Sequence, residues 1–320
     1  MTTPADPCYQ TPMRGDVRVL YVMGAGRSGS TIFDATVGSH PAMAGLGELN
    51  RMARQAWLRK EMCSCGERAV DCSFWSAIRD AWLAPGDAAI DEQVALEKSV
   101  ERLPRWATRG MAARTANSST FAAYAERAAA LFHILADATG SQVIIDSSKM
   151  PARAMALAHV PGIDLRVVHL VRDPRGVAWS LRKRLERDLA AGVPKNSRIH
   201  PVWWTAAAWS LTNAQAELAR RIIGPERSIF ARYEDFATRP REVLERVCEL
   251  VGVDPAPMAA IVNGEMDLRT RHLVAGNRLR MKGSARLSLD EAWRQKLAPG
   301  EIRTCRRVAG PLMRRYGYAA

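Results

Sequence analysis

The sequence predicts an α/β fold, a parallel sheet flanked by helices with an inserted helical cap, and three observations carry that expectation. First, the run Val17–Met23, rich in β-branched residues, leads directly into a glycine-rich turn and an apolar helix, the pattern of a buried parallel strand followed by a crossover. Second, Val143-Ile144-Ile145 and Leu165–Val171 repeat the apolar run ending in a polar loop, each with a helix behind it, so that strand and helix alternate as in a parallel sheet. Third, strand signals are missing from Leu49 to about Ala138, where alanine-rich amphipathic helix takes over.

The first strand and its turn, VRVLYVMGAGRSGST, organise the rest. Gly24, Gly26 and Gly29 let the backbone curl until its N–H groups converge on an anion, and a helix starting near Ser30 adds its positive end. Gly24, four residues, then Gly29-Ser30-Thr31 is nearly the nucleotide-binding Walker pattern, except that Ser30 stands where that pattern has lysine. A nucleoside triphosphatase sets the lysine against the β- and γ-phosphates. Its replacement, together with Arg27 inside the turn, points to another phosphate ester; a glycine-rich turn without a ligand is the plainer alternative.

The remaining elements follow in order. Residues 1–15, with Pro4, Pro7 and Pro12, read as a flexible N-terminal arm, leaving 16–320 as one domain. The phosphate-facing helix runs from Ser30 to Gly38 and is closed by Ser39-His40-Pro41. Ala42–Leu46 is a second strand that delivers Gly47-Glu48 to its carboxyl end, where open α/β sheets bind ligands. In the cap (about 49–138), Asp91–Leu103 and Phe121–Ala136 have helical spacing, with Pro85-Gly86 and Pro104 as breaks. The cap either forms an acceptor pocket or merely covers the sheet. Pro151 suits the first turn of a helix continuing to His159, and a helix from about Pro174 to Leu189 carries Ser180. The long helix Pro201–Ile223 bears Trp203, Trp204 and Trp209 at a spacing read as core. Ser228–Ala231 is a short strand ending at Arg232-Tyr233-Glu234-Asp235. Pro240–Val251 is a packing helix, His272–Gly283 is a basic loop suited to closing over an anion, and Asp290–Tyr316 finishes in amphipathic helix.

Composition narrows the function. With 48% hydrophobic residues the 320-residue chain can bury a large core, and neither a membrane-spanning run nor the apolar segment of a signal peptide is evident; a soluble cytoplasmic enzyme is expected. The net charge of +13 calls for an anionic partner. The basic residues are scattered from Arg14 to Arg315 instead of forming one block, so most of the excess reads as arginine spread over solvated faces. With few aromatics interleaved among them, nucleic acid is the minor hypothesis beside a membrane surface or a phosphorylated ligand. Cys63, Cys65 and Cys72 cluster, but zinc needs a fourth ligand and no histidine lies nearby in sequence. They are read as reduced packing cysteines, with zinc or a local disulfide as alternatives.

These residues together resemble the sulfotransferases that use 3′-phosphoadenosine 5′-phosphosulfate (PAPS), and the bacterial and carbohydrate-type members in particular. Gly26-Arg27-Ser28-Gly29-Ser30-Thr31 is similar to their 5′-phosphosulfate loop. Leu170–Ser180, LVRDPRGVAWS, is similar to their 3′-phosphate motif, which implies that Arg172 and Ser180 bind the 3′-phosphate. Asp146-Ser147-Ser148-Lys149 resembles a DSSK segment, and Tyr233-Glu234-Asp235 a segment whose tyrosine approaches the adenine. Gly276-Asn277-Arg278 and Arg280–Gly283 resemble the closing loop near the 3′-phosphate. The CSCG and CSFW segments resemble a cluster in bacterial members to which no role attaches. Where the aryl and steroid branch places a histidine base, this chain has Ser148-Lys149-Met150-Pro151, which puts histidine catalysis in doubt.

The resemblance implies a P-loop-like fold, PAPS as co-substrate, no required metal, and transfer to a small-molecule, lipid or glycan acceptor; a homodimer is compatible with it. Sulfuryl transfer needs charge stabilisation on the departing phosphate, which Arg27, Ser30, Thr31 and the loop N–H groups can supply. The acceptor needs a base, and Glu48, at a strand end opposite the loop, is the first candidate, ahead of Asp146 and His40; capping of the helix at Asn50 is its plain alternative. Lys149 is placed near the sulfonate. His169, mid-strand, reads as a core histidine. Trp57, Trp75, Trp106 and Trp203 are candidate acceptor platforms, although tryptophan in helices is ordinarily core. A P-loop nucleotide or small-molecule kinase is the competing reading.

Overall fold

The computed structural model describes residues 15–101, 118–190, 200–263, 266–268, 272–275, 281–282 and 284–319. The arm at 1–14, Trp106, and the loop residues Gly276, Asn277, Arg278, Arg280 and Gly283 fall outside that set.

Five parallel strands form the central sheet: β1 (Val17–Met23), β2 (Met43–Gly45), β3 (Val143–Lys149), β4 (Ile163–Val171) and β5 (Ser228–Arg232), in the order β2-β3-β1-β4-β5. β1 pairs with β3 on one side and along its full length with β4 on the other, Val17 opposite Ile163 through Met23 opposite His169. Being central and covered on both faces, it is apolar at consecutive positions instead of alternating. Val19, Tyr21 and Met23 enter one hydrophobic cluster, and Leu20 and Val22 enter another on the opposite face. The chain leaves β1 for β2 and β3 on one side, then returns to β4 and β5 on the other. The crevice at the carboxyl end of β1 is therefore the switch point at which such sheets bind ligands.

The helix after the glycine turn, α1 (Ser30–Val37), starts where expected. Between β2 and β3 the chain makes a 3-10 turn (Leu49–Arg51), a π-helical stretch (Met52–Leu58) and helices α2 (Ser73–Trp82), α3 (Asp87–Val100) and α4 (Ser119–Thr139). α3 begins four residues before the Asp91 read from periodicity. The chain turns into it at Gly86, at φ 101°, and Asp87 supplies a carboxylate to the first turn. Ser118 caps α4 by accepting from the Phe121 N–H at 3.1 Å, and Gly140 ends it in the left-handed conformation. These helices share one hydrophobic cluster with β1 and β3, through residues such as Trp57, Trp75, Phe132 and Ile144. Trp57 and Trp75 are thus packed in the core and present no face to an acceptor.

α5 (Pro151–Leu157), α6 (Pro174–Ala190) and α7 (Val202–Ile223) follow β3, β4 and the basic segment before Pro201. The tryptophans of α7 depart from the core expectation. Trp209 is buried, but Trp203 and Trp204 are 52% and 44% exposed, because consecutive positions at the start of a helix point to different sides and only Trp209 faces β4. His169 is a core histidine as read. Its Nε2 is 3.0 Å from Asn213 Oδ1, and burial pulls its pKa down to about 4. The described cysteines are free thiols. The histidine that sequence proximity did not supply to Cys63, Cys65 and Cys72 arrives from two hundred positions away: His272 stands among them.

Candidate active site

All five strands end at one cleft of about 1050 Å³. The turn after β1 contributes Gly26, Arg27, Gly29, Ser30 and Thr31; the ends of β2 and β3 contribute Glu48 and Lys149; those of β4 and β5 contribute Arg172 and Tyr233. Ser180 of α6 completes the lining of residues singled out by sequence. Ser28 is buried within the turn, its hydroxyl without a protein partner.

The turn is shaped by its backbone. Gly24, at φ 143°, packs so tightly on the Leu170 carbonyl that no side chain fits. Arg27 adopts φ 72° and Gly29 φ 87°, left-handed conformations that reverse the chain over the start of α1. A Cβ on Gly29 would sit 2.5 Å from the Tyr233 ring, so this glycine is required by a close approach as well as by its φ. A Cβ on Gly26 would meet nothing within 4 Å; that side of the turn is open.

Arg27 and Arg172, far apart in sequence, are neighbours. Arg172 Nη1 donates to the Arg27 carbonyl at 3.4 Å, and Arg27 Nε donates to Ser180 Oγ at 3.0 Å. The Arg172 guanidinium lies 4.5 Å from the centre of the Tyr233 ring. It also donates to the Asp290 carbonyl at 2.7 Å and pairs with the Asp290 carboxylate at 3.4 Å. Tyr233 is held in turn, its hydroxyl donating to Ser288 O at 2.8 Å and accepting from Asp290 N at 3.2 Å.

On the opposite side, Glu48 forms an ion pair with Lys149 through Oε1 and with Arg51 through Oε2 at 3.0 Å. No side-chain hydrogen bond caps the turn at Asn50, so capping does not account for Glu48. Burial pulls the Lys149 pKa below the ordinary lysine range, and the Glu48 carboxylate opposes that pull. Lys149 itself adopts φ 72°, and its carbonyl accepts from Gly24 N at 3.0 Å, which ties the end of β3 to the turn after β1. Asp34 of α1, which sequence reasoning passed over, braces the segment before Glu48 by accepting from Gly47 N at 3.2 Å. Burial pushes its pKa up to about 7.

The two lesser base candidates lie elsewhere. Asp146 is buried, accepting from Arg153 Nε at 2.9 Å and from Ser148 N at 3.0 Å. Arg153 pairs in turn with Glu101, which binds α3 to the sheet. His40 has both ring nitrogens engaged: Nδ1 accepts from Ala42 N at 3.1 Å and Nε2 faces the Asp254 carbonyl at 2.8 Å. Neither residue lines the cleft.

The architecture is matched by what the chain is similar to. The family model described as "Sulfotransferase family" matches residues 20–257, a span from β1 into the segment after the helix Pro240–Val251. The chain belongs to the sulfotransferase family. No curated protein matches this sulfotransferase. Among solved structures, the sulfotransferase domain from the curacin biosynthetic pathway is similar to it with a TM-score of 0.53 at 17% identity, over 97% of this chain and 99% of that one; at that identity the likeness is one of fold. The sulfotransferase domain of the Synechococcus PCC 7002 olefin synthase gives a TM-score of 0.45 at 19% identity, over 98% and 99% of the two chains. Sulfotransferase STF9 from Mycobacterium avium gives 0.49 at 14% identity, over 96% and 78%. Membership of this family does not favour the kinase reading.

Residues that sequence reasoning missed fall into two kinds. Arg51 follows Glu48 by three positions in a helical turn, so its pairing was open to an i,i+3 argument. Lys183 follows Ser180 by three positions on one helix and was open to the same argument, whereas Asp290, Trp204 and Arg286 reach the cleft from segments with no local signal of it.

Proposed function

We propose that this sulfotransferase moves the sulfuryl group of PAPS to a hydroxyl or amine of a small-molecule, lipid or carbohydrate acceptor, with Glu48 as base. The observation that carries the reading is the facing arrangement of two groups across one cleft. Arg27, Arg172, Ser180 and Tyr233 stand on one side and the Lys149–Glu48 pair on the other.

The residues fit such a donor. Cations outnumber carboxylates along the cleft, the turn is open at Gly26, and the α1 N-terminus adds a positive end beside Ser30 and Thr31. PAPS brings an activated sulfuryl group on a phosphate leaving group; the protein's part is positioning and electrostatics. Arg172, stacked on Tyr233, and Ser180 receive the 3′-phosphate, the tyrosine lying toward the adenine. A phosphate dianion there competes with Asp290 for the guanidinium. Arg27 and the turn N–H groups stabilise charge growing on the phosphate as its bond to sulfur breaks. Lys149 offsets charge on the sulfonate oxygens.

Glu48 accepts the acceptor's proton as the acceptor atom bonds to sulfur. Arg51, the more exposed of its two partners, is the one that an entering hydroxyl displaces. Glu48→Gln keeps the shape and removes the base. At saturating substrates its turnover is expected to fall by roughly 10²–10⁴, measured as transfer from labelled PAPS into an extract of the host; near-normal turnover would remove Glu48 from this role.

A further inference from the structure

We infer that Cys63, Cys65, Cys72 and His272 form a structural zinc site that fastens the His272–Ala275 segment onto the cysteine turn, beside the strand end that carries Glu48. The four ligand atoms lie within 4.8 Å of one another. His272 Nδ1 is 3.2 Å from Cys72 Sγ and 3.8 Å from Cys63 Sγ. A tetrahedral zinc with ordinary bond lengths separates its sulfurs by about 3.8 Å and sulfur from nitrogen by about 3.5 Å. The arrangement is already close to that geometry. Three thiolates and one imidazole make a closed donor set of the structural kind, with no position left for a reacting water.

Ordinary packing explains the cluster poorly. An imidazole among three thiols gains little, and His272 holds a left-handed φ of 48°, costly for a residue with a side chain. The surroundings nevertheless fix that conformation. The Phe74 ring stacks on the imidazole at 4.9 Å and 14°, and Trp75 Nε1 donates to the His272 carbonyl at 2.6 Å. Ser64, between two of the cysteines, donates its N–H to Leu273 O at 3.1 Å and accepts from Leu273 N at 2.8 Å through its hydroxyl. Gly66, at φ 101°, closes the cysteine turn with its N–H on the Cys63 carbonyl. A ring held in orientation and a ligand turn held in shape are what an outer shell supplies to a metal site. A local disulfide would use two of the sulfurs and leave the histidine without a purpose.

The consequence reaches the cleft. Two residues beyond His272, Val274 forms a parallel bridge with Gly47, accepting from Glu48 N at 3.4 Å and donating to Leu46 O at 3.3 Å. A cross-link at His272 thus holds the backbone that positions Glu48.

The test is metal analysis of the full chain purified without a polyhistidine tag from zinc-supplemented cells. About one zinc per chain is expected, released when a mercurial titrates the thiols, and cobalt substituted for it should give the intense visible bands of tetrahedral thiolate coordination. Cys65→Ser and His272→Ala should each lower the zinc content at least severalfold, whereas Cys248→Ser, at a buried cysteine outside the cluster, should leave it unchanged. Folded wild-type protein that carries almost no zinc, or a disulfide between any two of the three cysteines in reducing growth, would overturn the inference. So would full zinc occupancy retained in both cluster variants. Because these readouts ignore activity, they stand apart from any failure of the proposed transfer reaction.

Discussion

Gly29→Ala is the substitution whose effect is best defined by the geometry of the cleft. Two costs arise. At φ 87° an alanine pays the left-handed penalty, roughly 1–2 kcal/mol. Its Cβ would also lie 2.5 Å from the Tyr233 ring, so the ring must withdraw by about 1 Å to reach ordinary van der Waals distance. Tyr233 cannot move alone, being tied to Ser288 and Asp290 and stacked under Arg172. Loosening that stack forfeits about 0.5–2 kcal/mol of cation–π attraction, and one weakened hydrogen bond adds about 1 kcal/mol. The sum, about 2.5–5 kcal/mol, destabilises the folded protein and centres on the Tyr233 side of the cleft. Thermal unfolding should show that loss of stability, and calorimetric titration with 3′-phosphoadenosine 5′-phosphate should show affinity reduced by roughly tenfold or more, because the donor needs Tyr233 and Arg172 in the place the added methyl denies them. Unchanged affinity in Gly29→Ala would refute the idea that Tyr233 and the turn form one binding surface.

Arg27→Ala is expected to lower turnover by about 10²–10³ while changing donor affinity far less, because its charge matters most as the leaving group develops; equal losses in both, from transfer assays and calorimetry, would contradict that role. Asp34 gives a prediction about pH. Its carboxyl has a folded pKa of about 7 against an ordinary 3.8, so the folded state holds the proton more tightly, and stability present below about pH 4 is lost as pH rises toward 7, by up to roughly 4 kcal/mol. Asp34→Asn should flatten the dependence of unfolding free energy on pH across that window, and parallel curves for the two proteins would rule it out.

Much of this was open to sequence reasoning because its signals are local. A β-branched run, a glycine turn and a helix are contiguous, so β1, the turn and α1 can be read together, and the same holds for β4 with Arg172 and α6. Ser118 and Gly140 mark the ends of α4 in the same way. What could not be read depends on contacts across the sheet. Glu48 and Lys149 meet only because β2 pairs with β3, and His272 reaches the cysteines only because Val274 docks beside Gly47. The exposure of Trp203 and Trp204 was hidden for a related reason: spacing identifies a stripe but not the partner that covers it, and here that partner meets Trp209 alone. Asp34 fits an apolar helix face by position, and its unusual burial emerges only when Gly45 and Gly47 close over it.

In the proposed reaction Arg27 and Arg172 grip the two phosphate ends of one adenylate donor in a single cleft. Calorimetry without magnesium, comparing 3′-phosphoadenosine 5′-phosphate with ATP, tests it most directly. Preferential binding of the former is expected, with affinity lost by at least tenfold in Arg172→Ala, about 1.4 kcal/mol or more; preference for ATP, or an Arg172→Ala variant that binds as tightly as the parent, would show that the two arginines do not share one donor.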